Sequence, residues 1–262
     1  MNGGNHMWNS FHVFDESGMT ARTIMIEGHD GKQIHAYQAK PMGSGPFPGL
    51  LLIPHMPGWD EFCRETARRF AEHGYNVLCP NIYEDYGDGS PSEVAKRAVD
   101  DGIVPDRTVM EDCAGALSFL HSQPDSNGKA GVIGMCSGGR HTFLAACTLD
   151  GIDAAADCWG GGVSTPPEKL TPSRPTAPID LAANLNCPLI GIFGNDDRAP
   201  SPDEVDTLEC TLKELGKNYE FYRYDGAGHG IWYYDKPMYR QGPAMDSFEK
   251  VMTFFERFLK NP

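Results

Sequence analysis

The sequence has 262 residues, a hydrophobic share of 40% and a formal net charge of -14 at pH 7. A chain of this size can bury one sizeable core, and its negative charge argues against nucleic acid and anionic membranes as partners. A small-molecule substrate fits this composition better. Residues 1–10 lack the basic and apolar segments of a secretory signal, and no apolar run is long enough to cross a bilayer, so we expect a cytoplasmic protein.

The first predicted elements are two antiparallel strands, RTIMIEG and KQIHAYQAK, joined at residues 29–31. The run PFPGLLLIP then predicts a central strand that is covered on both faces. Further helices are predicted at residues 60–74, 105–123, 138–149, 202–216 and 243–259. Further strands are predicted at residues 75–83, 129–134, 153–160, 187–194 and 218–224. The Pro-rich segments 80–91 and 164–178 are predicted to be loops.

The alternation of strands and helices predicts an α/β fold. We expect a mostly parallel central sheet flanked by helices, with an N-terminal antiparallel hairpin. Residues 1–20 are predicted to be an N-terminal extension and residues 21–262 a single domain. Because ligands of open α/β sheets bind beyond the carboxyl ends of the strands, candidate functional residues should directly follow a strand.

The segment GMCSG, residues 134–138, has the G-x-nucleophile-x-G pattern of a nucleophile elbow, with Cys136 at the centre. The flanking glycines suit a strand-to-helix turn that is too tight for neighbouring side chains. The N-terminus of the helix that follows is expected to lower the pKa of the Cys136 thiol. Taken alone, the pattern is about equally compatible with a small buried cysteine in a Gly-rich turn.

An acid and a histidine follow the next strands, in the chain order of an α/β-hydrolase triad. Asp196 and Asp197 come after CPLIGIFG, and His229 comes after NYEFYRY. In such a triad the sulfur attacks a carbonyl carbon, the histidine carries the proton and the acid orients the histidine. Singly, these aspartates could be turn residues and this histidine could be solvated. Jointly, the three residue types favour catalysis.

Catalysis of this kind also needs an oxyanion hole built from hydrogen-bond donors. One predicted donor is the backbone N–H of Ser137, directly after the nucleophile. The second is predicted in the loop after the LLLIP strand, at the backbone N–H of Met56.

With these motifs the sequence resembles the dienelactone hydrolase, or carboxymethylenebutenolidase, family of α/β-hydrolases. The resemblance rests on GMCSGG, GWDEFCRETARRFAEHGYNVLCPNIY, HSQPDSNGKAGVIG, GNDDRAPSPDEV and YDGAGHG, and it spans residues 20–260. It implies a triad of Cys136, Asp197 and His229, since the acid of the family follows a strand-terminal glycine as G-x-x-D. It also implies that Ser137 and Met56 supply the oxyanion donors.

The sequence departs from the family at positions that concern the substrate. A glutamate that contacts the resting thiol in well-studied members corresponds to His55 here. Two arginines that bind the substrate carboxylate correspond to Asp85 and Tyr233. Because neither residue replaces the planar fork of an arginine, strict dienelactone specificity is not expected, and a neutral or aromatic-bearing substrate is favoured.

Six residues near the predicted strand ends are candidates for the substrate pocket. The arginines among them could supply positive charge or pair with a nearby acid, and the aromatic residues could line a pocket or pack in the core. His55 could contact the oxyanion or the thiol, or it could be a hydrogen-bonded structural histidine. These candidates are His55, Arg140, Trp159, Arg198, Trp232 and Tyr233.

These observations predict a hydrolase of small esters or lactones that works through a thioester acyl-enzyme. An acyltransferase, thioesterase or amidase would use the same site, and a binding module without catalysis is the more distant alternative. No cofactor or metal is expected, since GxGxxG is absent. The eight cysteines stand singly without metal-like spacing, so they are expected to be reduced thiols.

Overall fold

The computed structural model describes residues 18–56 and 58–260. Its strands are β1 (Met19–Glu27), β2 (Gln33–Pro41), β3 (Phe47–Ile53), β4 (Asn76–Pro80), β5 (Ser126–Met135), β6 (Ala154–Cys158), β7 (Leu189–Gly194) and β8 (Tyr219–Tyr224). Its α-helices are α1 (Glu61–Glu72), α2 (Pro91–Asp100), α3 (Asp106–Ser122), α4 (Ser137–Thr148), α5 (Pro202–Glu214) and α6 (Gln241–Phe255). Short helical turns lie at His29–Gly31, Glu84–Tyr86, Pro167–Lys169, Pro178–Asn184 and Glu256–Lys260.

The eight strands form one sheet in the order β1-β2-β4-β3-β5-β6-β7-β8. Strand β2 pairs antiparallel with both β1 and β4, and every other neighbouring pair is parallel. The predicted fold class, a mostly parallel sheet with an N-terminal antiparallel pair, is therefore confirmed. The carboxyl ends of β3 and β5 to β8 lie at the same edge of the sheet, where the candidate residues emerge.

The core has one layer on each face of the sheet, and β3 contributes to both. Its residues Leu50 and Leu52 belong to the layer that is covered by α1 and α6. Leu51 and Ile53 belong to the opposite layer, against α2 to α5. Because successive strand side chains point to opposite faces, a fully apolar run such as LLLI is what a strand buried on both faces requires.

Helix α2 is the main element that the sequence analysis did not predict. It begins after Ser90, whose hydroxyl accepts the backbone N–H of Glu93, while the Glu93 side chain accepts the backbone N–H of Ser90. This reciprocal capping, followed by Pro91 in the first helical turn, is a recognisable start signal. The signal was overlooked because the Pro-rich segment before it predicts a loop.

Two predicted boundaries differ from those in the structure. Strand β1 begins at Met19, inside the predicted extension 1–20, and residues 1–17 of that extension lie outside the described residues. The strand predicted at 75–83 ends at Pro80 and is followed by the turn Glu84–Tyr86. The eight cysteines are free thiols, as predicted. Among the described residues, no helix has the length and apolar character that a membrane span needs.

A buried ion pair joins α3 to α4. Arg140 on α4 donates to both carboxylate oxygens of Asp106, at 2.6 and 2.9 Å, and its Nε donates to the Gly162 carbonyl at 3.3 Å. Both residues are buried. Burial acts to raise the pKa of Asp106, but hydrogen bonds from His141 and Arg140 outweigh it and lower this pKa to about 2. The sequence left open whether Arg140 binds the substrate or pairs with an acid. In the structure its guanidinium group pairs with Asp106.

We expect Arg140→Met to lower the free energy of unfolding by about 3–5 kcal/mol, because Asp106 would remain as a buried charge without its partner. Chemical denaturation measures this loss. Arg107→Met is the matched control, since Arg107 is an exposed neighbour of Asp106 on α3 and its surface ion pairs are screened by solvent, so that little stability should be lost. Equal losses in the two variants would contradict the structural role of Arg140.

Candidate active site

Cys136 occupies the turn between β5 and α4. Its φ of 56° and ψ of -123° lie in a region that side-chain-bearing residues rarely adopt. A Cβ atom on Gly134 would lie 2.2 Å from the Gly138 carbonyl oxygen, and one on Gly138 would lie 2.4 Å from the carbonyl oxygen of Ile53. Both flanking positions therefore require glycine, and the second glycine brings the start of α4 against the end of β3.

His229 and Asp197 lie beside Cys136, on the loops that follow β8 and β7. The His229 Nδ1–H donates to Asp197 Oδ2 at 2.9 Å. Asp197 is buried, and its other carboxylate oxygen accepts the backbone N–H of Ala199 at 3.0 Å. Because Nδ1 is engaged, Nε2 is the nitrogen left for the side-chain hydrogen bond between His229 and Cys136. Asp196 is exposed, so Asp197 is the aspartate that meets the histidine.

The electrostatics of this group favour a thiolate and an imidazolium. Burial acts to raise the pKa of Cys136, but the hydrogen bond and charge of His229, with the backbone N–H of Ser137, lower it below the usual value. Burial acts to lower the pKa of His229, yet hydrogen bonds to Asp197 and Cys136 raise this pKa to about 10. Each partner therefore stabilises the charged form of the other.

Two backbone N–H groups meet at the elbow. The Ser137 N–H, directly after the nucleophile, acts to lower the pKa of the Cys136 thiol. The Met56 N–H, from the loop after β3, donates to the Ser137 hydroxyl at 2.9 Å. The Met56 N–H therefore donates to an oxygen atom of Ser137, the residue next to the nucleophile. A substrate carbonyl oxygen that accepted from both N–H groups would replace the Ser137 hydroxyl as the acceptor of the Met56 N–H.

The side chain of His55 joins three parts of the site. Its Nδ1 is hydrogen-bonded to the Tyr233 hydroxyl at 2.6 Å, and its Nε2 to Asp60 Oδ1 at 3.0 Å. The His55 carbonyl accepts from the Tyr83 hydroxyl at 3.0 Å and from the backbone N–H of Gly58 at 2.9 Å. His55 is buried, and it directly precedes Met56. Its partners therefore restrict the position of the Met56 N–H.

One group among the described residues could hold a metal ion. The ligand atoms of His55, Asp60 and Cys63 lie within 4.8 Å of one another. Their spacing along the chain is not a metal motif, so the sequence analysis did not detect them. Hydrogen bonds already account for the arrangement, because Asp60 accepts both the His55 ring and the backbone N–H of Cys63 at 3.1 Å. The Cys63 thiol itself donates to the carbonyl of Gly58 at 3.6 Å.

The remaining pocket candidates have different surroundings. Trp159 and Trp232 are both fully buried and pack edge to face, with ring centroids 5.4 Å apart. The Trp232 indole N–H donates to Ser247 on α6 at 2.8 Å, so Trp232 packs in the core, which is the alternative that the sequence left open. Trp159 also contacts Tyr233, at 6.0 Å between centroids. Arg198 is exposed beside Asp197.

The structure also explains Asp85, which stands where the resemblance would place an arginine. Asp85 is hydrogen-bonded to His29 at 2.8 Å and to Lys32 at 3.0 Å, at the start of β2. Its carboxylate therefore joins the N-terminal hairpin to the turn Glu84–Tyr86. Sequence reasoning missed Tyr83, whose hydroxyl donates to the His55 carbonyl at 3.0 Å. No motif points to Tyr83, because it stands at the end of the predicted strand 75–83.

The comparisons with known proteins identify relatives over nearly the whole chain. The model of the dienelactone hydrolase family matches residues 34–259. A Methylorubrum extorquens protein, provisionally named as a carboxymethylenebutenolidase, is 31% identical over 247 residues, which are 93% of this chain and 83% of the relative. A relative in Escherichia coli with the same provisional name is 28% identical over 237 residues, 87% of this chain and 84% of the relative.

Among solved structures, a provisionally named dienelactone hydrolase from Klebsiella pneumoniae matches with a TM-score of 0.83. The two chains are 26% identical, and the match covers 92% of this chain and 99% of the other.

We expect His229→Ala to slow the alkylation of Cys136 by iodoacetamide at neutral pH by about tenfold or more, because the pKa of the thiol would rise toward about 8.5. A pH profile of the alkylation rate measures the shift. In the wild-type protein the rate should fall only as the pH drops below the lowered pKa. Identical profiles for the two proteins would contradict the thiolate–imidazolium pair.

We expect Tyr233→Phe to lower kcat about 3- to 10-fold, because loss of its hydrogen bond lets His55 and the Met56 N–H move, and a complete loss of such a donor costs about 100-fold or more. Alkylation of Cys136 should stay within about twofold of the wild-type rate, since alkylation needs no oxyanion donor. Tyr222→Phe on β8 is the control. A parallel fall in turnover and alkylation would show that Tyr233 acts on the nucleophile instead.

Proposed function

The chain belongs to the dienelactone hydrolase family, and from this premise we propose that it hydrolyses small esters or lactones through a Cys136–His229–Asp197 triad and a thioester acyl-enzyme. Family membership makes the protein a hydrolase, and it removes the alternative of a binding module without catalysis. The observation that carries the finer proposal is the strained turn at Cys136 together with the hydrogen bond from His229 Nδ1–H to Asp197 Oδ2 at 2.9 Å. The lowered pKa of Cys136 and the raised pKa of His229 agree with it.

The first half of the reaction acylates the cysteine. The Cys136 thiolate attacks the carbonyl carbon, and the electron pair of the C=O bond moves to the oxygen, which accepts from the N–H groups of Ser137 and Met56. When the intermediate collapses, the C–O bond breaks and the leaving alkoxide takes the proton from His229 Nε2. The products of this half are an alcohol and a thioester on Cys136.

The second half releases the acid. His229, now neutral, accepts a proton from water at Nε2 while the water oxygen attacks the thioester carbon. The same two N–H groups bind the oxyanion again. Collapse breaks the C–S bond and returns the thiolate, while His229 is again the imidazolium that balances it. Asp197 keeps its hydrogen bond to Nδ1 throughout, which holds the imidazole in the tautomer and orientation that both halves need.

The same groups would serve other acyl transfers. A thioesterase, an amidase or an acyltransferase needs the same nucleophile and oxyanion donors, and differs in the leaving group or the acceptor. In each case the leaving group takes the proton of His229 as the tetrahedral intermediate collapses. An ester carbonyl is intrinsically more reactive toward the thiolate than an amide carbonyl, so the ester or lactone is favoured over the amide.

The test compares matched ester, thioester and amide substrates that share one acyl group. We expect the ester to be turned over fastest and Cys136→Ala to lower kcat/KM by at least about 1,000-fold, because the thiolate provides the covalent route. Asp197→Asn should lower kcat on the ester by a smaller factor. Retained turnover in Cys136→Ala would contradict the proposal, and a faster thioester or amide reaction would favour the alternative that uses that leaving group.

A further inference from the structure

A histidine, a carboxylate and a thiol come together where the loop after β3 meets the start of α1. Asp60 is the N-cap residue of α1, and Cys63 lies on the first turn of that helix. Asp60 Oδ1 accepts the backbone N–H of Cys63 at 3.1 Å, and the same oxygen lies 3.0 Å from His55 Nε2. With the Cys63 sulfur, these ligand atoms lie within 4.8 Å of one another.

The separations suit a tetrahedral metal ion. Zn²⁺ binds nitrogen and oxygen ligands at about 2.0–2.2 Å and sulfur at about 2.3 Å, so neighbouring donor atoms of a tetrahedral site lie about 3.3–3.8 Å apart. The 3.0 Å between His55 Nε2 and Asp60 Oδ1 is slightly below this range, and 4.8 Å is the upper limit for the other pairs. Side-chain shifts on the order of 1 Å would bring all three atoms to coordination distance.

The neighbours of these side chains already orient them as ligands. A histidine that binds a metal through one ring nitrogen usually hydrogen-bonds an oxygen through the other. His55 Nδ1 lies 2.6 Å from the Tyr233 hydroxyl, which leaves Nε2 on the side of Asp60 and Cys63. Because a hydroxyl group both donates and accepts, this bond is compatible with either tautomer of His55.

The hydrogen bonds inside the cluster are ones that an ion can replace. One proton lies between His55 Nε2 and Asp60, and the Cys63 thiol donates its proton to the carbonyl of Gly58 at 3.6 Å. Metal ligands must be deprotonated, so a divalent ion would displace both protons. A thiolate, a carboxylate and a neutral imidazole then balance the charge of the ion, as a buried site requires.

The cluster is enclosed on the protein side and open at Asp60. Cys63 is 0% exposed and His55 is 2% exposed, whereas the side chain of Asp60 keeps 25% of its exposure. The carboxylate therefore provides a path for an ion from solvent. A water molecule on that side would complete four-coordination.

We propose that His55, Asp60 and Cys63 bind a divalent cation of the Zn²⁺ class, and that this ion fixes the loop that carries Met56. The inference goes beyond the proposed function, because no step of the hydrolysis uses the ion. It replaces the expectation that no metal is bound, which came from the spacing of the cysteines. Thiolate and imidazole ligands favour Zn²⁺ over Mg²⁺ and Ca²⁺, which prefer oxygen ligands.

Other thiols of the chain could bind the same ions and must be removed for the test. Cys136 lies beside the imidazole of His229 in the proposed triad. Cys210 is exposed, and its sulfur lies 3.5 Å from a carboxylate oxygen of Glu214. The double variant Cys136→Ala/Cys210→Ser lacks both of these sulfur atoms and keeps the proposed site.

The test titrates Co²⁺ into this double variant after treatment with a chelator. Co²⁺ occupies sites of the Zn²⁺ class, and a thiolate ligand gives it a sulfur-to-metal charge-transfer band in the near ultraviolet. We expect one Co²⁺ per chain with this band, which Zn²⁺ removes by displacing Co²⁺ and which Mg²⁺ leaves unchanged. Adding Cys63→Ser should abolish the band. Adding Cys113→Ser, at a buried thiol on α3, is the matched control and should retain it.

A second variant keeps the test decisive if Cys63→Ser does not fold, as judged by circular dichroism. Asp60→Asn preserves a side chain that can cap α1 and removes the charged ligand. We expect it to weaken Co²⁺ binding about 10-fold or more, since even residues that only support a ligand contribute 10- to 100-fold. An unchanged affinity in Asp60→Asn would overturn the proposal. So would the absence of the band in the double variant, or its persistence in Cys63→Ser.

The melting temperature tests whether the ion stabilises this part of the fold. Zn²⁺ at about 100 times its Kd should raise the melting temperature of the double variant by about 5 °C or more, because the ion binds the folded site. Adding Cys63→Ser should remove this shift, and an equal shift with and without Cys63 would overturn the proposed role.

These measurements separate the inference from the proposed function, because the double variant has no nucleophile. A Cys63-dependent band together with a wild-type protein that hydrolyses no ester would leave the inference standing and overturn the proposed function. Cys136-dependent ester turnover in a protein that shows no such band would overturn the inference alone.

Discussion

The turn at Cys136 is the constraint on which the rest of the site depends. The backbone reverses there at a positive φ, and the close approach of Gly138 to the carbonyl of Ile53 holds the start of α4 against the end of β3. This contact brings three groups to one point: the sulfur, the N–H of the residue after it and the loop that follows β3. The parallel sheet then delivers the histidine and the acid to the same edge, because β7 and β8 end beside β5 and β6.

Pairs of residues, more than single residues, define the chemistry of this edge. The hydrogen bond and charge of His229 lower the pKa of Cys136, and the hydrogen bonds of Asp197 and Cys136 raise the pKa of His229. The positions of His55 and Tyr233 depend on each other through a hydrogen bond of 2.6 Å. Arg140 and Asp106 neutralise each other in the interior. The proposed reaction follows from the pairing of Cys136, His229 and Asp197.

The sequence predicted the features that local patterns encode. Alternating apolar runs predicted the sheet, and the glycine frame predicted the turn at Cys136, because both depend on neighbouring residues. Contacts between distant segments were not predictable. His55 and Tyr233 are 178 positions apart, so no spacing rule joins them. Arg140 is a pocket candidate because it follows the elbow closely in the sequence, but its side chain is hydrogen-bonded to Asp106.

In the proposed mechanism the acyl group passes through Cys136. Mass spectrometry of the protein, quenched with acid during turnover of an activated ester, tests this step most directly. We expect one acyl group per chain, on the peptide that contains Cys136, and its release by hydroxylamine as expected of a thioester. An acyl group on another residue would contradict the passage through Cys136. Turnover with no acylated protein, both in the wild type and in Asp197→Asn, would contradict it as well.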